Sequence, residues 1–211
     1  MGWRGPVGIL ALAVLGSALG YGLSTADRDA HVGSGTADPV AAEGPGLPVD
    51  PPSPTADDPD DPPLRPGIAM TIGSLGVGDF MITFPVPEGW RTNINATNEA
   101  KWKQPDTSNN SYVMRIEQIT SQHVTIEQAV DTRIARLYDE QAGVQVEDRG
   151  PNSLEYTYRS NEGNARHSFM RWIDTDADGQ ADVEIVVHGR ERDVPGTSDL
   201  IGRVAAGLRA A

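Results

Sequence analysis

From about Ile68 onward, apolar and polar residues alternate in short stretches that are interrupted by two helical periods. "DFMITFPVP" (79–87) sets Phe80, Ile82 and Phe84 on one face and predicts a first strand, which "PEGW" (Pro87–Trp90) closes with turn residues and a large apolar side chain. "KWKQP" and "SYVMRIEQI" predict two further strands, the second with Tyr112, Met114 and Ile116 on one face. In "TIEQAVDTRIARLYDEQAG", Ile126, Val130, Ile134 and Leu137 recur at helical spacing, Thr125 and Gln128 form a capping-box pair, and Gly143 supplies a stop. "VQVEDRG", "SLEYTYRS", "RHSFMRWID" and "ADVEIVVHG" then predict a four-strand meander. Pro195 and "TSDLIGRVAAGLRA" predict a closing helix capped near Thr197 or Ser198, with Leu200, Ile201, Val204 and Leu208 toward the core. Asn93–Asn98 and Asp106–Ser111 read as polar loops. Strands, a helix, more strands and a last helix predict an α+β fold: an antiparallel sheet with two helices packed on one face.

The segment before this domain has a different grammar. Met1–Arg4 is a short basic start, and "VGILALAVLGSALGYGL" (Val7–Leu23) follows without a charge. A run of that length stands at the lower limit for spanning a bilayer and is longer than most signal-peptide cores. Arg4 before it and acids after it orient the N-terminus inward and the bulk of the chain outward. A single-pass transmembrane anchor is expected over residues 1–23. The alternative is secretion after cleavage, since Ala18 and Gly20 form a small-x-small site. Gly16 and Gly20 also make a GxxxG, which in a segment this rich in Gly and Ala says little about dimerisation. Residues 24–67 hold ten of the 16 prolines and nine acids against Arg28 and Arg65. That composition predicts a disordered Pro/acidic linker reaching on the order of 100 Å. The three expected parts are therefore anchor (1–23), linker (24–67) and extracytoplasmic domain (68–211).

Charge narrows the partners. A formal net charge of −13, with Lys101 and Lys103 the sole lysines among 17 basic residues, excludes a phosphate-backbone reader, so nucleic acid is not an expected partner. Arg, Ala, Gly, Asp and Pro usage suggests a GC-rich coding bias of the actinobacterial kind. The absence of Cys removes disulfides, thiolate metal sites, a cysteine nucleophile and a lipobox together.

Several of these stretches resemble one family. "FPVPEGW", the "KW" strand, the long helix ahead of "LEYTY", and the aromatic "FMRW" strand are similar to the LpqN-type extracytoplasmic domains of actinobacteria, within the PsbP-like superfamily. The resemblance covers about Asp79 to Leu208. It implies an α/β sandwich, a position behind a lipid anchor, signal peptide or transmembrane helix, and a binding or accessory role without a shared catalytic motif. This chain departs from the pattern in having no lipobox Cys and no kinase domain.

Candidate chemistry concentrates in "DTDADGQAD" (Asp174–Asp182). Asp174, Asp176 and Asp178, Gly179, Gln180 and Asp182 match positions 1, 3, 5, 6, 7 and 9 of a calcium loop, while position 12 is Ile185 and the nearest acid, Glu184, comes one residue early. The same residues equally form the polar tip of a hairpin turning at Asp178-Gly179. Both readings stand at this point, calcium being the one cofactor the sequence suggests. His31 lies in the linker and His123 in a polar loop. His167 and His188 flank the acidic turn and are expected to approach one another across a simple hairpin. Ser168 beside His167 makes no triad, because strand neighbours point to opposite faces. No nucleophile elbow, phosphate loop or HExxH occurs, so no catalytic residue is assigned. Trp90, Trp102 and Trp172 are expected in the core or at its margin, with a ligand-lining role as the alternative.

The resulting expectation is a non-catalytic, membrane-tethered extracytoplasmic binding or accessory module of a bacterial cell envelope. Its partner is an envelope protein or ligand, and the membrane is reached through the N-terminal helix. The alternatives are a structural component of a membrane complex and an envelope hydrolase.

Overall fold

A computed structural model describes residues 56–108, 111–120 and 124–211, all within the unit Pro51–Ala211. The expected anchor, and the linker up to residue 55, lie outside the described residues. Its strands are β1 (Met70–Leu75), β2 (Ile82–Pro87), β3 (Arg91–Ala96), β4 (Glu99–Lys103), β5 (Val113–Gln118), β6 (Ala142–Arg149), β7 (Ser153–Arg159), β8 (Ala165–Ile173), β9 (Val183–Gly189) and β10 (Arg209–Ala210). Helix α1 (Ile126–Glu140) joins β5 to β6, and α2 (Val194–Gly207) joins β9 to β10. Seven strands form one sheet in the order β3-β4-β5-β9-β8-β7-β6, and β1-β2-β10 form a second; all pairings are antiparallel. The α+β class and the β6–β9 meander are as expected.

Local chemistry explains α1 well. Gln128 N–H donates to Thr125 Oγ1 at 3.2 Å and Thr125 N–H donates to Gln128 Oε1 at 3.1 Å, which closes the capping box. Val130 and Leu137 are fully buried. The helix stops at Glu140, and Gly143 serves instead inside β6, where its φ of 62° meets a register shift between Ala142 and Gln145.

The two helices do not share a face, which corrects the expected layering. Val183, Ile185 and Val187 of β9 pack with Phe84 of β2 and with Leu200, Ile201 and Val204 of α2. Val186 packs instead with Val130 and Leu137 of α1, together with Leu154, Tyr156, Met170 and Trp172. Alternate residues on a strand face opposite ways, so α2 and the small sheet cover one side and α1 the other. A strand buried on both sides reads as a nearly unbroken apolar run, and "EIVV" in β9 is that run.

Four elements also depart from expectation. Met70–Leu75 is a strand ahead of the expected first one, and Gly76 and Gly78 (φ 98° and 58°) turn the chain between them. A short 3-10 turn at Gly78–Phe80 takes Phe80 off the strand, so it is 75% exposed while Ile82 and Phe84 are buried. Asn93–Asn98, expected as a loop, belongs mostly to β3, a wholly exposed edge strand whose polar side chains carry no inward pattern. α2 starts at Val194 rather than near Thr197, with Asp193 at its N-cap and Pro195 in its first turn.

Residues 56–67, expected in the linker, lie against the domain. Asn164 Nδ2 donates to the Ala56 and Asp57 carbonyls at 3.3 and 2.9 Å, Arg166 pairs with Asp58 at 2.6 Å, and Leu64 is buried. Asp61 accepts the Ser108 N–H at 2.9 Å and the hydroxyls of Ser108 and Ser111. Those hydroxyls, first among several contacts, hold its carboxyl down at about 2. Extended Pro-rich backbone makes no internal hydrogen bonds, so its carbonyls are available to buried donors of the domain. The domain therefore begins no later than residue 56.

Candidate functional site

The acidic turn is the nine-residue connection between Ile173 and Val183, which pair at the end of the β8–β9 ladder. Its carboxylates are turned inward on the loop's own donors. Asp174 accepts N–H groups from Ala177 (2.6 Å), Asp178 (3.2 Å) and Gly179 (2.7 Å), which hold its carboxyl below the usual range, Gly179 contributing most. Asp182 accepts the Thr175 N–H and hydroxyl, both at 2.6 Å. Asp178 accepts from the Gln180 N–H (2.8 Å) and side-chain amide (2.7 Å), and Asp176 from the Asp178 N–H at 3.2 Å. Carboxylate oxygens of Asp174, Asp176 and Asp182 lie within 4.8 Å of one another. The Asp178 N–H lowers the Asp176 carboxyl, but desolvation and the charges of Asp178, Asp182 and Asp174 outweigh it and leave it above its ordinary value. Of the five expected oxygen donors, three converge, while Asp178 and Gln180 bond each other. Position 12 supplies nothing, since Ile185 is fully buried in the core on the α2 side.

The histidines do not meet. His167 pairs in register with Gly189, and His188 with Ser168, so the one-residue offset sends the two rings to opposite faces. His167 sits between Glu155 (Nε2, 2.7 Å) and Glu191 (Nδ1, 3.2 Å) and stacks on Phe169. His188 is pushed down to about 4, chiefly by desolvation and then by Arg166, Arg115 and Lys101. Ser168 Oγ is buried and has no hydrogen-bond partner among the described residues, so no base activates it. His31 and His123 lie outside the described residues. Trp102 and Trp172 are core residues, and Trp90 stacks on Tyr112 with ring centroids 5.7 Å apart.

A site that the sequence motifs did not indicate lies under α1, where the helix leaves the β5 side of the sheet uncovered. The cleft is about 330 Å³, at the small end for ligand sites. Ala129, Thr132, Arg133 and Arg136 line it from α1, at the spacing of one helix face; Arg115, Glu117, Glu184 and Trp172 line it from the sheet. Register places Glu99, Glu117 and Glu184 side by side across β4, β5 and β9, a row of like charges that costs stability unless bridged. Arg115 bridges it, donating to Glu117 at 2.6 Å and to Glu184, with Glu99 at 3.7 Å. Burial pushes the Glu184 carboxyl up, and Arg115 and Arg133 draw it back only in part. Arg133 reaches Glu140 with Nη1 at 3.3 Å, but its Nε is buried with no acceptor among the described residues. An orphaned buried donor costs about 1–3 kcal/mol. Arg136 is exposed and makes no hydrogen bond or ion pair among the described residues. An arginine pair three residues apart on a helix is a local signal for such a site, yet it reads equally as ordinary surface charge.

No protein-family model and no curated protein matches the chain. Among solved structures it is similar to the Ran-binding protein Mog1p of Saccharomyces cerevisiae, at 8% identity and a TM-score of 0.47 over 67% of this chain and 96% of that one. It is also similar to a Bacteroides thetaiotaomicron protein, at 12% identity and a TM-score of 0.34 over 62% of this chain and 45% of that one. The LpqN-type resemblance carried by the sequence motifs recurs as a structural similarity: LpqN of Mycobacterium tuberculosis, involved in cell envelope biogenesis, matches at 13% identity and a TM-score of 0.43 over 66% of this chain and 90% of that one.

Proposed function

We propose that the chain is a non-catalytic binding or accessory module of a bacterial cell envelope, tethered through its N-terminal apolar segment with the α+β domain outside the membrane. The observation that carries the binding role is the open polar cleft under α1, where Arg136 and the Nε of Arg133 have no partner and no nucleophile–base pair lies beside them among the described residues. The uncharged run Val7–Leu23 after Arg4 supports the anchor and its orientation. No helix among the described residues is long and apolar enough to cross a membrane, so the tether rests on that segment alone.

The absence of Cys supplies a clean test. A single Glu88→Cys, on the exposed turn after β2, is expected to react with a membrane-impermeant maleimide in intact cells while the chain stays in the membrane fraction. Labelling only after lysis overturns the orientation, and recovery of labelled chain in the medium favours the secreted form. Exchanging residues 1–23 for an unrelated single-pass anchor separates the runner-up: a binding module keeps its activity in cells, and a component that assembles through its membrane span loses it.

For the acidic turn the proposal is narrower. It is a hairpin tip closed by its own carboxylates, with calcium affinity no tighter than about 0.1 mM, the weak extracellular range.

A further inference from the structure

We propose that the cleft under α1 binds a small hydroxylated solute by one oxyanion, a carboxylate or a phosphate, taken between Arg133 and Arg136. The inference deepens the binding role proposed above, and it is read from the cleft itself rather than from where the chain resides. Arg115 is already engaged by Glu117 and Glu184, so its charge is taken up on the floor of the cleft. Arg133 shares its charge with Glu140 at 3.3 Å, which leaves Arg136 as the arginine of the lining that pairs with no acid among the described residues. That charge lies on α1, where Arg136 stands three residues from Arg133 on one helix face. A water molecule can satisfy the buried Nε–H of Arg133 but cannot offset this charge. An oxyanion does both, because guanidinium N–H groups match the paired oxygens of carboxylate and phosphate. Glu117 and Glu184 oppose a second anionic group, which limits the ligand to one. The hydroxyls of Thr120 and Thr132, at the same cleft, suit a ligand with alcohol groups, and the volume limits it to a small solute.

The test is titration calorimetry of the full-length chain at low ionic strength with glucuronate, glucose 6-phosphate and glucose. Saturable binding of one or both anionic sugars is expected, and none of glucose; the stronger of the two identifies the oxyanion. Arg136→Gln is expected to weaken binding by about tenfold or more, equal to about 1.4 kcal/mol, without lowering the melting temperature. Arg65→Gln, which removes the same charge from an exposed position outside the cleft, is expected to leave the affinity unchanged. Equal loss in both variants, equal binding of glucose, or no heat with either anion overturns the site. A failure here leaves the maleimide and anchor-exchange outcomes untouched, so the two readings fall separately.

Discussion

Asp193 grips the guanidinium of Arg190 with both carboxylate oxygens, Nε donating to Oδ2 at 2.7 Å and Nη2 to Oδ1 at 2.9 Å, and both side chains are fully buried. The remaining donors of Arg190 go to the Pro59, Asp61 and Pro62 carbonyls, and the Leu64 N–H returns to Asp193 Oδ1 at 2.9 Å. The pair therefore sits at the junction of β9, α2 and the Pro-rich segment. Removing one member leaves the other charge buried and unpaired, so Asp193→Ala is expected to cost about 3–5 kcal/mol in urea unfolding. Asp131→Ala, which breaks an exposed pair with Arg149 at 2.6 Å, is expected to cost under about 1 kcal/mol. Similar losses in the two variants contradict this account.

The Pro-rich segment is expected to be part of the folding unit. A chain shortened to begin at Gly67 loses three carbonyl acceptors of Arg190, the Asp58–Arg166 pair and the Asp61 contacts. Hydrogen bonds to charged groups contribute about 1.5–3 kcal/mol each, so a loss of more than about 3 kcal/mol is expected relative to a chain beginning before residue 56. Gly196 provides a second arm, because a Cβ there lies 2.3 Å from the Leu64 carbonyl oxygen. Gly196→Ala is expected to destabilise the longer chain by displacing the segment. In the shortened chain it is expected to be neutral or to stabilise by up to about 1 kcal/mol, the helix preference for Ala over Gly. Additive effects in the double change rule out the contact.

How far the fold was legible follows from which residues announce their surroundings. Thr125 and Gln128 announced the start of α1, and Tyr112, Met114 and Ile116 announced the buried face of β5, because caps and period-2 alternation are local patterns. β3 was not legible, since an edge strand exposed throughout needs no apolar residues. Neither was the packing of residues 56–67, which depends on Arg190 lying more than a hundred residues away and short of acceptors. The cleft failed to show for the same reason. Arg115, Arg133 and Glu184 come from three separate elements, and only the β5–β9 register and the placement of α1 bring them together. His167 and His188 show how sharp such limits are: a one-residue register difference separates a facing pair from two rings on opposite faces.

His188 gives a pH signature. Its folded value of about 4 lies below the ordinary 6.5, so the unfolded chain takes up the proton first as pH falls. The contribution of the neutral ring is intact above about pH 6.5 and is lost progressively down to about pH 4, with a ceiling on the order of 3 kcal/mol. Arg166, Arg115 and Lys101 are the cations that oppose its protonation. Stability curves of the parent and His188→Gln are expected to converge as the pH drops from 6.5 toward 4. Curves that stay parallel over that interval show that the ring is not the titrating group.

The acidic turn separates two accounts of why carboxylates gather at one place. In a calcium loop they converge because the ion is needed to hold them. In this turn Asp174 caps three N–H groups, Asp182 holds Thr175 and Asp178 holds Gln180, so the loop is closed without an ion. The remaining repulsion falls on Asp176, whose carboxyl is raised with Asp178, Asp182 and Asp174 nearby. A cation gains little by displacing the internal donors, and with Ile185 at position 12 in the core it finds no bidentate ligand. Calorimetry with calcium is therefore expected to give no dissociation constant tighter than about 0.1 mM, and any heat at millimolar calcium is expected to vanish in Asp176→Asn. That variant is also expected to melt at or slightly above the parent temperature in the absence of calcium, because it removes a repelled charge and keeps an oxygen for the Asp178 N–H. Micromolar binding, or a melting temperature that falls on this substitution and recovers with calcium, makes the turn a metal site and overturns the hairpin account.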